Sequence, residues 1–185
     1  VIAFVPARKG SKRIKNKNIK NFRGKPLIFW TLDSAIKSKN IKKIIVSTDC
    51  PVIAKMCKNY SKKVEVPFLR PKYLSTDKSP AINSYIYTSE KLNKSGYKCH
   101  EFVILLPTSP LRTSADINNS INIFNKTKAD SVISCVKADH PFHWYLTIKN
   151  KKKIKEVFKT KNLQSKMNRQ KNENLYIPNG SIYIL

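Results

Sequence analysis

An α/β sandwich of three layers on a mostly parallel sheet is the fold class this 185-residue sequence predicts. Two patterns carry the prediction. Short apolar, β-branched runs recur at residues 1–5, 44–47, 64–68, 102–106 and 131–136. Each is too short for a helix, and several are too continuous for a half-wet strand, so the five are read as buried strands. Between them lie segments of helical period: Ile28, Leu32, Ala35 and Ile36 form one apolar stripe, and Ile117, Ile121 and Phe124 form another. Strands alternating with helices place helices on both faces of a sheet. With 41% hydrophobic residues, a single domain over 1–185 can bury its own core.

The element ends agree with this reading. Pro26, Pro51 and Pro80 suit first helical positions, and Ser79 is placed to cap the helix that follows it. The lysine-rich residues 149–155 read as a solvated hairpin or flap outside the core. Both chain ends are apolar and fall inside apparent strands, so the expectation is a chain truncated at its C-terminus and lacking its initiator residue.

Composition removes several function classes. Cysteines stand at 50, 57, 99 and 135 with no Cys-x-x-Cys pair, which argues against a zinc site and a disulfide framework and for a reducing cytoplasm. No run of apolar residues is long enough to span a bilayer, and no basic segment precedes residues 1–5, so neither a membrane span nor a secretion signal is expected. The formal charge of +26 invites a nucleic-acid or anionic-membrane partner. Lysine, asparagine and isoleucine are enriched together, however, a bias that puts lysines on solvated faces without any partner. Neither an aromatic-interleaved RNA motif nor zinc-finger spacing accompanies the charge, so a basic nucleic-acid-binding protein stands only as the alternative from another class.

In open α/β sheets, ligands sit beyond the carboxyl ends of the strands. The residues to inspect are therefore Arg8 to Asn18, then Thr48 and Asp49, then Arg70, then Thr108, Ser109 and Arg112. Six of the ten residues from Arg8 to Lys17 are Arg or Lys, where 37 in 185 predicts two. Residues 149–155 hold five cations in seven, so enrichment alone does not mark a site. The first cluster differs in following a buried strand, containing Gly10, and offering Ser11 and backbone N–H groups beside its charge. That combination suits phosphate oxygens, against the plainer reading of a solvated basic loop. One cation–phosphate contact near a surface is worth on the order of 4 kcal/mol at an effective dielectric of 20, before desolvation, so several are needed. The segment is neither a Walker A loop nor a Gly-x-Gly-x-x-Gly fingerprint. Asp49 could help place a metal or nucleotide, or could favour the N-terminal end of the next helix. Asp139, His140 and His143 read as a metal cluster or, more plainly, as a polar loop, with Trp144 and Tyr145 as packing residues.

Six blocks occur in a telling order and spacing: Pro6-Ala7-Arg8-Lys9-Gly10-Ser11-Lys12-Arg13, Lys17-Asn18, Ser47-Thr48-Asp49, Leu69-Arg70-Pro71, Pro107-Thr108-Ser109-Pro110-Leu111-Arg112 and Asn179-Gly180-Ser181-Ile182-Tyr183. In them the chain resembles, over nearly its whole length, the CMP-sialic acid synthetases, cytidylyltransferases for acylneuraminate and related nonulosonic acids. The resemblance implies a Rossmann-like, glycosyltransferase-A-like nucleotidyltransferase fold. It implies that the anomeric hydroxyl of an acidic keto sugar attacks the α-phosphorus of CTP with Mg²⁺ assistance, giving CMP-sugar and pyrophosphate, in a homodimeric enzyme.

By the same resemblance, Arg8, Ser11, Lys12, Lys17 and Asn18 hold the triphosphate, with Arg8 and Lys17 catalytic, and Arg70 and Ser79 join the nucleotide side. Thr108, Ser109, Arg112, His143, Asn179 and Gly180 fall on the sugar side. Asp49 is the metal candidate within the chain; the family's main metal ligands lie beyond Leu185, so an inactive fragment is a third reading. Two departures concern the sugar. Leu106 stands where the family commonly has glutamine, and Ile177 where neuraminate-specific members have arginine, which favours a related acid such as legionaminate or pseudaminate. The alternative within the enzyme class is a 3-deoxy-manno-octulosonate cytidylyltransferase, against which the Leu69-Arg70-Pro71 and Pro107 to Arg112 blocks weigh.

Overall fold

A computed structural model describes residues 1–141, 144–149, 153–157 and 174–185. From the N-terminus, β1 (Ile2–Pro6) leads through a 3₁₀ turn at Lys17–Ile19 and a small hairpin, β2 (Asn21–Phe22) and β3 (Lys25–Pro26), into α1 (Leu27–Ile36). Next come β4 (Lys43–Ser47), α2 (Pro51–Lys58), β5 (Val64–Glu65), a 3₁₀ turn at Lys72–Ser75, and α3 (Ala81–Lys94). The chain continues through β6 (Phe102–Leu105), α4 (Ser114–Thr127), β7 (Val132–Lys137), β8 (Leu146–Lys149), β9 (Lys153–Glu156) and β10 (Tyr176–Ile184). Six strands form one sheet in the order β5-β4-β1-β6-β10-β7. The pairs β4–β5, β1–β4 and β1–β6 are parallel, while β10 runs antiparallel to β6.

Side-chain alternation along the three central strands creates the layers. Ala3 and Val5, Ile44 and Val46, and Val103 and Leu105 enter one apolar cluster; Phe4, Ile45 and Ile104, each one residue out of phase, enter a second. The first cluster takes Ile28, Leu32 and Ala35 of α1, Ile53, Ala54 and Cys57 of α2, and Ile117 and Ile121 of α4. The second takes Leu92 of α3. Three helices therefore cover one face and α3 the other; the two apolar stripes read from the sequence, in α1 and α4, both fall on the first face. No helix among the described residues is long and apolar enough to cross a membrane.

Local chemistry sets the helix ends. Pro51 occupies the first turn of α2, and Thr113 and Asp116 form a reciprocal capping box at the start of α4. Pro26 and Pro80 instead sit one residue ahead of their helices, at extended φ and ψ, and no side chain caps α3, so Ser79 does not have its expected capping role. The expected strand at 64–68 shortens to two residues: Pro67 has no N–H to give a ladder. The expected buried strand near 131–136 is largely exposed, with Ile133 and Val136 about half accessible, because β7 is the last strand of the sheet. No disulfide joins the four cysteines; burial pushes the Cys57 thiol up to about 12, so it acts as a small hydrophobe.

The described chain divides into two compact units, Val1–Ser134 with Gly180–Leu185, and Cys135–Asn179. In the second, β8 and β9 pair antiparallel from Leu146 opposite Glu156 to Lys149 opposite Lys153, which is the lysine-rich hairpin read from the sequence. Trp144 and Tyr145 are exposed rather than packed, and Trp144 stacks on His140 with ring centroids 5.7 Å apart.

Leu105→Ala should cost about 2–5 kcal/mol in chemical denaturation, since Leu105 is fully buried in the first cluster, whereas Leu111→Ala at an exposed position should stay within about 0.5 kcal/mol.

Candidate active site

The parallel register brings the ends of β1 and β6 to one edge of the sheet, and there the protein opens a cleft of about 680 Å³. Of the residues singled out in the sequence, Arg8, Ser11, Lys12, Lys17, Asn18, Arg70, Ser79 and Thr108 all line it. Residues far apart in sequence thus converge at the predicted place.

The loop after β1 is held from behind. Asn18 is buried and donates through Nδ2 to the Arg8 carbonyl at 2.9 Å, and the Lys9 N–H donates to Asp49 Oδ1 at 2.8 Å. The left-handed position in this loop is Asn16, at φ 54°; Gly10 only faces open space. Asn18 therefore shapes the loop as well as lining the cleft. Asp49 neither caps α2 nor lines the cleft; it orders the first residues of the basic segment.

Arg8 and Lys12 meet a carboxylate. Arg8 Nη2 lies 2.7 Å from Asp77 Oδ1, Lys12 Nζ lies 3.0 Å from Asp77 Oδ2, and Arg8 Nη1 donates to the Ser75 carbonyl at 3.2 Å. Hydrogen bonds from Lys12 and then Arg8 hold the Asp77 carboxyl below the usual carboxylate range. Lys17 has no ion-pair partner among the described residues.

Arg70 stands out among the residues that line the cleft. Its residue is only 6% exposed, and its Nε and Nη2 atoms are buried with no hydrogen-bond partner. Burial lowers its pKa from the ordinary arginine value; Asp49 opposes that shift and the Arg8 cation adds to it. The backbone is fixed by the Arg70 N–H donating to the Thr48 carbonyl at 2.8 Å. A buried donor without a partner costs about 1–3 kcal/mol, more for a charged group, and what distinguishes Arg70 from Arg112 is that it lines the cleft.

The residues assigned to the sugar side are less uniform. Thr108 lines the cleft beside Leu106 and Pro107, whereas Ser109 and Arg112 do not. Arg112 is buried, and its Nη1 donates to the carbonyls of Ser181 at 2.7 Å and Leu106 at 3.3 Å, tying the end of β6 to β10. Burial pulls its pKa down to about 10, so it remains a cation at neutral pH. Nη1 thus joins β10 to the residue after β6, while Nε and Nη2 of Arg112, like those of Arg70, are buried without a hydrogen-bond partner. Gly180 has φ 74°, a left-handed conformation that favours glycine, and a Cβ there would meet Leu106 Cδ1 at 3.4 Å, an ordinary contact. Asn179 is exposed in β10, and His143 lies outside the described residues. Tyr85 of α3 also lines the cleft; its position on an ordinary helical segment gave no sequence signal.

Comparisons with known proteins place the chain in a family. The family model described as Cytidylyltransferase matches residues 2–184. The chain is 34% identical to a CMP-N,N'-diacetyllegionaminic acid synthase of Legionella pneumophila, covering all of this chain and 77% of that protein. It is 33% identical to an N-acylneuraminate cytidylyltransferase of Streptococcus agalactiae over 99% of this chain, which spans only 42% of that relative. Among solved structures, a CMP:2-keto-3-deoxy-manno-octonic acid synthetase complexed with CTP superposes with TM-score 0.69 at 16% identity, covering 99% of this chain and 72% of the other. A 4-diphosphocytidyl-2C-methyl-D-erythritol synthase from Anaerococcus prevotii gives TM-score 0.61 at 17% identity, covering 100% and 68%. At such identities these two likenesses speak for the fold alone. With its nucleotidyltransferase architecture, its convergent basic cleft and a family match from residue 2 to residue 184, the chain belongs to the cytidylyltransferase family.

Proposed function

We propose that the protein transfers CMP from CTP to the anomeric hydroxyl of a sialic-acid-like nonulosonic acid, releasing pyrophosphate. The observation that carries the reading is Arg70, whose buried, unpartnered Nε–H and Nη2–H share one cleft with the cations of the loop after β1. Two adjacent donors on a planar guanidinium suit two adjacent acceptors. Cytosine presents that pair as O2 and N3, whereas uracil presents O2 beside an N3–H donor. The Arg8 to Asn18 loop then receives the triphosphate.

In the reaction, the sugar hydroxyl oxygen forms a bond to the α-phosphorus, the bond from that phosphorus to the β-phosphate bridging oxygen breaks, and the hydroxyl proton is released. Negative charge grows on the departing pyrophosphate. Arg8, Lys12 and Lys17 stabilise that charge, with Ser11 and loop N–H groups as further donors. Ser79 and Thr108 complete the cleft walls on the nucleotide and sugar sides.

Relatives named for diacetyllegionaminic acid and N-acylneuraminate support a nonulosonic acid as acceptor. Leu106 adds an apolar wall that cannot hydrogen-bond a sugar hydroxyl, which supports a deoxygenated acid of the legionaminate or pseudaminate kind. Mg²⁺ belongs to the proposal as a companion of the nucleotide, since it takes one or two carboxylates with water and phosphate oxygens. No group of three or more His, Cys, Asp and Glu that could hold a metal occurs among the described residues, and Asp49 and Asp77 are already engaged. A cytoplasmic homodimer completes the proposal.

Three outcomes test it. Incubating the intact protein with CTP, Mg²⁺ and a panel of nonulosonic acids plus 3-deoxy-manno-octulosonate should release pyrophosphate with a nonulosonic acid; release with none of them would sink the reading. Arg8→Ala should lower kcat by roughly 100- to 1000-fold, and unchanged turnover would remove Arg8 from the chemistry. Arg70→Lys, which keeps the charge but loses the two-donor edge, should cut the kcat/KM preference for CTP over UTP by about 10- to 100-fold.

A further inference from the structure

We propose that Asp77 is an internal counter-anion of the phosphate loop: its carboxylate holds Arg8 and Lys12 before a nucleotide binds and surrenders them to the incoming phosphates. This rests on the loop being a phosphate site, as proposed above, and adds a residue that sets how tightly phosphates are held.

The geometry is that of a bridging anion. Each carboxylate oxygen serves a different cation, Oδ1 at 2.7 Å from Arg8 and Oδ2 at 3.0 Å from Lys12, across nearly seventy residues of sequence. Among the described residues, no other acid forms an ion pair with the loop cations. Asp77 comes from the segment between the 3₁₀ turn at Lys72–Ser75 and α3, so the contact joins two walls of the same cleft.

Folding stability does not account for this bridge. The Lys12 side chain is 79% exposed and that of Asp77 40%, and ion pairs so open to water contribute little to stability. The charge of Asp77 is nonetheless secure at neutral pH, since both cations favour the ionised carboxylate. Two of the groups that a triphosphate requires thus already share one counter-charge, and Arg8 is kept in the cleft rather than swung into solvent. One carboxylate with a single charge is a weak rival to a polyphosphate with several charges and more oxygens. Exchange therefore favours the ligand while lowering its net affinity. The same competition helps expel pyrophosphate after transfer, a step that limits turnover in many enzymes.

The test is calorimetric titration of inorganic pyrophosphate into wild type and Asp77→Asn at low ionic strength. The account expects Asp77→Asn to bind about 3- to 10-fold more tightly, with the advantage shrinking as salt is added, and Asp77→Glu to bind like wild type. Equal or weaker binding by Asp77→Asn, with wild type still binding, overturns the counter-anion role and leaves the phosphate loop intact. Tightening by Asp77→Glu to the same degree also overturns it, since the charge would then not be the cause. Failure of both wild type and Asp77→Asn to bind pyrophosphate overturns the phosphate-loop reading along with the counter-anion role.

Discussion

The pairing of β1 in parallel with β4 on one side and β6 on the other is the constraint from which the cleft follows. Parallel neighbours end at the same edge, so Arg8, Asp49 and Thr108, from three different stretches of sequence, emerge together. The pairing is enforced from both faces, because alternate residues of all three strands enter opposite apolar clusters, and a one-residue slip would exchange the two sets. The cleft is therefore supported by the most buried part of the molecule.

On that edge the polar residues divide into two tasks. Asn18, Asp49 and the Nη1 group of Arg112 bond mainly to backbone, fixing the loop after β1 and the junction of β6 with β10. Arg8, Lys12, Lys17 and Arg70 present charge to the cleft. The separation matters because cations crowded together repel and drift outward unless something orders them. Here the order comes from short bonds behind the loop and, in front, from Asp77. The overall charge of +26 says little about this site; the arrangement of a few cations around one carboxylate and one buried guanidinium says more.

The sequence made the layers legible because apolar period and strand length are local properties, and Ile28, Leu32, Ile117 and Ile121 are buried where their spacing required. It made the basic loop legible through position and composition. It did not show that β7 is an exposed edge, because apolar runs look alike wherever strand order places them. Nor did it show that Ser79 leaves its helix uncapped or that Arg112 grips two carbonyls, since both depend on where distant backbone lies. The bond between Asp77 and the loop was invisible for the same reason. Gly180 was legible as a special backbone position, and its φ of 74° is what favours glycine there.

The most direct test of the central claim is a crystal structure of the protein with CTP bound. The account predicts the triphosphate within hydrogen-bond distance of Arg8, Lys12 and Lys17, and the cytosine O2 and N3 facing Nε and Nη2 of Arg70. A triphosphate outside the loop after β1, or a base bound with Arg70 still unpartnered, would contradict it.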